Sequence, residues 1–267
     1  MSFADLVTLA DVQNWLDTPA GNTQRDAILT QLIRRVSMAV STYTSRLIIL
    51  PRTKTDVFNG NGRQRVQLLD WPVLSISSLV IGADVIPPAT SLTSSGYILD
   101  VPDVDPPGSM QSVYLRGYWF QEGIQNVSVT YLVGYMVSGE VTTVTSSPYT
   151  VLAPYGPWGS DMGVTYTSSG TALVQVSSSP AQGQYSVVAG VYTFSTADVG
   201  QSVSVSYGYV PADMYNCVLE WIADVWARRD RPGVSSKSIG GAETVSYLRQ
   251  TMPMAVAEGL RSYMRVI

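Results

Sequence analysis

The densest group of side chains able to do chemistry is cationic: Arg228, Arg229, Arg231 and Lys237 fall within ten residues. A guanidinium keeps its charge at any physiological pH and presents a fixed fork of donors, so such a run suits carboxylates or phosphates on a partner. The plainer alternative is a helix end, where cations meet the negative pole of the macrodipole. Charge is also segregated along the chain. Residues 1–116 carry 9 basic and 10 acidic side chains, 117–227 carry none and 7, and 228–267 carry 7 and 3. An acidic body with a tail of net +4 points the tail at something negative. Base-specific DNA binding is not expected, because the total charge is −4 and no recognition motif occurs.

The options for catalysis are narrow. The sequence has no histidine and one cysteine, Cys217. Ser-His and Cys-His pairs and histidine metal sites are therefore excluded, and no intramolecular disulfide can form. Asp100, Asp103 and Asp105 could gather a hard cation or serve as paired carboxylates. Their spacing misses the EF-hand pattern, and Pro102, Pro106 and Pro107 make the stretch a rigid turn. Ser235–Gly241 lacks the spacing of a phosphate loop and reads as an arm that orders on docking. Gly60 and Gly62 lack the third glycine of a dinucleotide fingerprint. Tyr114, Tyr118, Trp119, Phe120, Tyr149, Tyr155, Trp158, Tyr166, Tyr185 and Tyr192 could stack on sugars, or fill cores and interfaces. No enzyme, cofactor or metal is implied. Charged residues make up 13%, well below the usual quarter, which favours a subunit that desolvates against neighbours.

The elements that must hold the tail begin with two helices. Thr8 to Asp11 forms a capping box, followed by Leu9, Val12, Trp15 and Leu16 on one face. A second box, Thr23 to Asp26, starts a longer helix with the stripe Ile28, Leu32, Val36, Ala39, Val40, Tyr43 and Leu47. Arg52–Phe58 and Arg65–Leu69 flank Asn59-Gly-Asn-Gly62 and predict a hairpin. Strands are expected at 72–81, 97–99, 113–115 and 127–133. Residues 136–208 alternate short β runs with turns, as a β-sandwich does. Pro211 opens a helix with Met214, Cys217, Val218, Trp221, Ile222 and Val225 apolar, and an amphipathic stretch closes at 253–265. The opening MSFADLVTLADVQNWL has no basic start and no continuous apolar run, so neither a signal peptide nor a membrane span is expected.

VSVTY at 127–131 is echoed by VSVSY at 203–207. Deleting 136–209 leaves a strand, a short turn and a helix with nothing missing. An inserted β module explains this, since insertions survive where the ends lie close together. Chance recurrence of valine–serine alternation is the plainer account.

The spliced text resembles the head–tail connector (adaptor, head-completion) proteins of long-tailed bacteriophages. The resemblance is carried by the N-terminal helix pair, FNGNGRQRVQLLDWPVLSISSLVI, VSVTYLVGY and VPADMYNCVLEWIADVWARRDRPGVSSKSIGGAETVSY. It covers most of 1–135 and 210–250 and is silent on 136–209. It implies a helical core with a β portion, and together with the strand and turn spacing of 136–209 the expected fold is α+β: N- and C-terminal helices forming a small helical bundle, an antiparallel β portion and an inserted Ig-like β-sandwich-type domain. The expected division is 1–135 plus 210–267 as connector core, 136–209 as insert, and 228–267 as a basic arm for portal docking. Within that arm Arg228, Arg229, Arg231, Lys237, Tyr247, Arg249, Arg261 and Arg265 are the expected portal contacts. Trp221 and Trp226 are expected at the subunit interface. The implied partners are copies of the chain in a twelve-membered ring, the portal, the next neck protein, and genomic DNA passing without sequence-specific binding. The implied location is the virion neck, after synthesis in the host cytoplasm, with no membrane. A rival reading makes 136–209 a module for host-surface carbohydrate.

Overall fold

The computed structural model describes residues 5–101, 110–229 and 252–265, and the backbone of 236–239 and 243–246. The described chain is mixed α+β, with four α-helices and mostly antiparallel sheets. It divides into two compact units, residues 1–47 with 211–267 and residues 48–210.

The first unit joins the two ends of the chain. Helix α1 spans Leu9–Trp15, and its capping box is complete: the Thr8 hydroxyl accepts from Asp11 N, and Asp11 accepts from Thr8 N. Helix α2 spans Thr23–Thr44. Its cap is Asn22, whose side chain accepts from Arg25 N, rather than the expected Thr23 box. Asp26, which that box would have used, instead accepts from Gln13 Nε2 at 2.8 Å, tying α1 to α2. Helix α3 spans Ala212–Arg228 with Pro211 as its cap, and α4 spans Met254–Leu260. Helices α3 and α4 approach closely enough that a Cβ on Gly259 would lie 2.7 Å from Cys217 Sγ, so a side chain at 259 would force them apart. Arg265 N donates to Thr44 O at 2.9 Å and fastens the end of the described chain to the end of α2.

The buried face of α2 is Leu29, Ile33, Val36, Ser37 and Val40. The stripe expected from the sequence is rotated from it: Ile28 is 44% exposed, Leu47 66%, and Leu32 and Ala39 are half-buried. Trp15, expected in the core beside Val12, is 50% exposed, while Leu6 and Val7 ahead of the helix take the buried places. In α4, Val256 and Leu260 are buried, and Met254 and Met264, expected with them, are exposed.

The second unit holds two β cores. In the first, β1 (Arg52–Gly60), β7 (Gly123–Val133), β3 (Val73–Ile81) and β4 (Asp84–Val85) form one sheet in that order. A second sheet, β2 (Arg65–Gln67), β6 (Ser112–Arg116) and β5 (Gly96–Leu99), shares its core. The hairpin expected around Asn59–Gly62 does not form, because β1 pairs with β7 and β2 with β6. Asn59 Oδ1 accepts from Gln125 N, Gly60 N donates to Asn126 Oδ1, and Gly62 N donates to Phe120 O. Those bonds carry the chain from one sheet to the other instead of turning it back.

The second core lies within 136–209. Strands β10 (Trp158–Tyr166), β14 (Ser202–Tyr209) and β8 (Met136–Thr143) form one sheet, and β11 (Val174–Gln175), β12 (Gln184–Val188), β13 (Val191–Phe194) and β9 (Tyr149–Thr150) the other. All named pairs are antiparallel except β11 with β12. Val164, Tyr185, Tyr192, Val203, Val205 and Tyr207 fill its interior. The segment leaves and returns at one place: Met136 pairs with Gly208, and Tyr209 N donates to Tyr135 O. Backbone strands β15 (Ser236–Ile239) and β16 (Glu243–Ser246) form an antiparallel pair in the tail.

Candidate functional site

The basic end of α3 borders a groove between α2 and α3 of about 630 Å³. Its walls are Ile28, Leu32, Val36 and Ala39 from α2, and Trp221, Val225 and Trp226 from α3. Arg35, Asp224, Arg228 and Arg229 stand at its edge. The groove exists because α2 carries apolar residues over a wider arc than its own packing uses. Leu29, Ile33 and Val40 are spent on the unit's core, and Ile28, Leu32 and Ala39 remain toward solvent.

The cations are organised. Arg228 Nη2 and Nε donate to Asp224 Oδ1 at 2.6 and 3.0 Å, a pair one helical turn apart. The Arg229 guanidinium lies 3.7 Å from the centre of the Trp226 ring, over its face. The indole's negative face and the nearby helix end both favour that charge. An apolar floor with fixed guanidinium groups at the edge is suited to an apolar segment flanked by carboxylates.

The other expected contacts are spread out. Trp221 is 8% exposed, so only its edge reaches the groove, whereas Trp226 is half-buried. Arg261 is exposed on the turn after α4. Arg265 is half-buried next to the end of α2. Arg231, Tyr247 and Arg249 lie outside the described residues, as does the Lys237 side chain in β15. Asp103 and Asp105 also fall outside them. Arg35 lies outside the apolar stripe expected for α2, and nothing in its spacing joins it to Arg228 and Arg229. The available signal was the width of the apolar arc, which runs from Ile28 through Ile33.

Segment 136–209 uses its polar groups inward. Glu140 accepts from the hydroxyls of Tyr149 and Tyr207 and from Leu152 N. Asp161 accepts from Tyr185 and Tyr192 at 2.5 and 2.8 Å, and Asp198 from Tyr166 at 2.7 Å and Gly183 N at 3.0 Å. Burial, then these carboxylates, push the Tyr149 phenol up to about 12, and push Tyr185 and Tyr207 up as well. Tyr185 and Tyr192 are buried, so neither offers a face to a sugar. In the first β core, Lys54 Nζ meets Asp56 at 2.8 Å and the buried Asp70 at 2.5 Å, and the Tyr131 hydroxyl donates to Asp56. Burial also pushes the Cys217 thiol up, away from the reactive thiolate. Among the described residues, no helix is long and apolar enough to cross a membrane.

No family model matches the sequence, and no curated protein matches it. Among solved structures, a chain described as "Neck of empty GTA particle computed with C6 symmetry" aligns over 100% of this chain and 94% of its own, at 13% identity and a TM-score of 0.42. A likeness of that degree carries no weight for function.

Proposed function

We propose that this chain is a structural subunit of a head–tail connector ring in the neck of a phage-like particle. Its work is geometric. The helical unit is the wedge of the ring, the C-terminal arm from Arg228 onward docks on the portal, and the ring lines the path of the DNA. The helices act as a small bundle, and 136–209 is an inserted sandwich that projects an accessory surface. The next neck protein takes the opposite end of the ring.

The observation that carries this reading is the α2–α3 groove, an apolar surface edged by guanidinium groups that the unit's own core does not use. Two further facts support it. Helices from both chain ends gather in one compact unit with the basic end of α3. Segment 136–209 begins and ends on neighbouring strands around a core of its own.

The test mixes the full chain, and a full-length variant Arg228→Glu/Arg229→Glu that keeps α4, with purified portal, and follows sedimentation and particle images. The unaltered chain is expected to co-sediment and form rings on the portal, and the variant to stay behind. An unaltered chain that ignores portal, or a variant that binds it equally well, defeats the proposal.

A further inference from the structure

Two apolar features of the helical unit are left partly open to solvent. Trp15 of α1 is 50% exposed, although Val12 one turn away is fully buried. The α2–α3 groove is open along Ile28, Leu32 and Ala39. We infer that this groove receives the α1 segment of a second copy of the chain, with Trp15 as the anchor. The inference rests on the ring reading above and names the contact that closes such a ring.

Charge selects this occupant. Residues 1–24 contain Asp5, Asp11 and Asp17 and no Lys or Arg. Asp5 and Asp17 are exposed and flank the helix that carries Trp15. The groove edge carries Arg35, Arg228 and Arg229 against the single acid Asp224. The two patches thus bear opposite charge around apolar centres, the arrangement that steers and aligns protein contacts. Tryptophan and arginine are also the residues most enriched where binding energy concentrates.

Geometry makes the contact one between copies. Helix α1 lies on the flank of α2 that bears Asp26 and Ser37: Gln13 donates to Asp26 at 2.8 Å, and Leu6 N donates to Ser37 Oγ at 3.1 Å. The groove lies on the flank bearing Ile28, Leu32 and Ala39. At about 100° per residue the two flanks are roughly 150° apart around α2. A knob and a hole on separated flanks of one unit join neighbours head to tail, and repetition of that contact gives a closed ring when the rotation allows.

The experiment uses the full chain. Trp15→Ala and Ile28→Arg alter exposed positions, so both variants should keep the wild-type circular dichroism. Each is expected to weaken self-association, read by sedimentation, by about tenfold or more. Mixed together, they should give a species of two chains and nothing larger, because one supplies only an intact groove and the other only an intact anchor. The double variant Asn14→Cys/Arg35→Cys, which keeps Trp15 and Ile28 and places thiols at exposed positions beside the anchor and at the groove edge, should oxidise to a ladder of covalent multiples, with the native cysteine buried. Variants that assemble as well as wild type, with no ladder, overturn the inference and leave the ring reading standing. An Ile28→Arg chain that assembles normally but no longer binds purified portal assigns the groove to the portal, and also overturns it. Wild-type chain that never associates, alone or with portal, and gives no ladder, defeats the ring reading and the inference together.

Discussion

The phrase V-S-V-x-Y is written twice because it does the same work twice. In β7, Val127, Val129 and Tyr131 are fully buried, and in β14 so are Val203, Val205 and Tyr207. Each strand is interior to its sheet, and each closing tyrosine donates to a carboxylate on the adjacent strand: Tyr131 to Asp56 on β1, and Tyr207 to Glu140 on β8. A buried phenol needs such a partner, and the bond favours the protonated form of the tyrosine. This sets a direction for pH dependence. Tyr149 is raised in the fold from its usual value near 10 to about 12, so it binds its proton more tightly folded than unfolded. Its contribution to stability is complete below pH 10 and is lost as pH climbs through 12. Urea midpoints followed from pH 8 to 12 should fall above pH 10, and fall less in Tyr149→Phe. An unchanged slope in that variant would remove Tyr149 from the account.

At the scale of elements, the sequence was most readable where one local interaction decides the outcome. The Thr8–Asp11 box and the strands at 73–81, 96–99 and 112–116 stand within a residue of where alternation and capping placed them, and the strand expected at 127–133 begins four residues earlier, at Gly123. The Asn59–Gly62 turn was misread because its hydrogen-bonding partners lie some sixty residues away, at Phe120, Gln125 and Asn126. Gly60 shows the difference. It is needed for proximity, since a Cβ there would sit 1.6 Å from Gln121 O, a backbone atom that cannot swing aside. Gly60→Ala should therefore cost about 3 kcal/mol, at the upper end of overpacking, measured as a shift in urea midpoint. A cost under about 1 kcal/mol would mean the two loops part easily. The α2 stripe was misassigned for a related reason. Periodicity reports that a face is apolar, but whether the protein's own core or a partner covers it depends on which neighbours arrive. The candidate site was legible as a basic helix end, and only the fold added Arg35 and the second apolar face of α2.

For the whole molecule, the test of the proposed insertion is to remove it. A chain with Tyr135 joined directly to Val210 should fold and keep the helical signal and self-association of the parent. The joint is short because Tyr209 N already meets Tyr135 O. Some stability should go with it, since Gly159 and Gly208 pack against Leu50 and Pro51. A melting temperature lower by about 5 °C is expected by differential scanning calorimetry. Insoluble or unfolded product would show that 136–209 is integral to the chain that surrounds it.

The Lys- and Arg-free span from 117 to 227 has a quieter consequence. The three carboxylates of 136–209, Glu140, Asp161 and Asp198, are satisfied by phenols and amides, so the two sheets of that segment are held without an ion pair among the described residues. Dissolved electrolytes find nothing there to screen. The ion pairs that salt can weaken lie outside that segment, where Lys54 meets Asp56 and Asp70 in the first β core and Arg228 meets Asp224 at the end of α3.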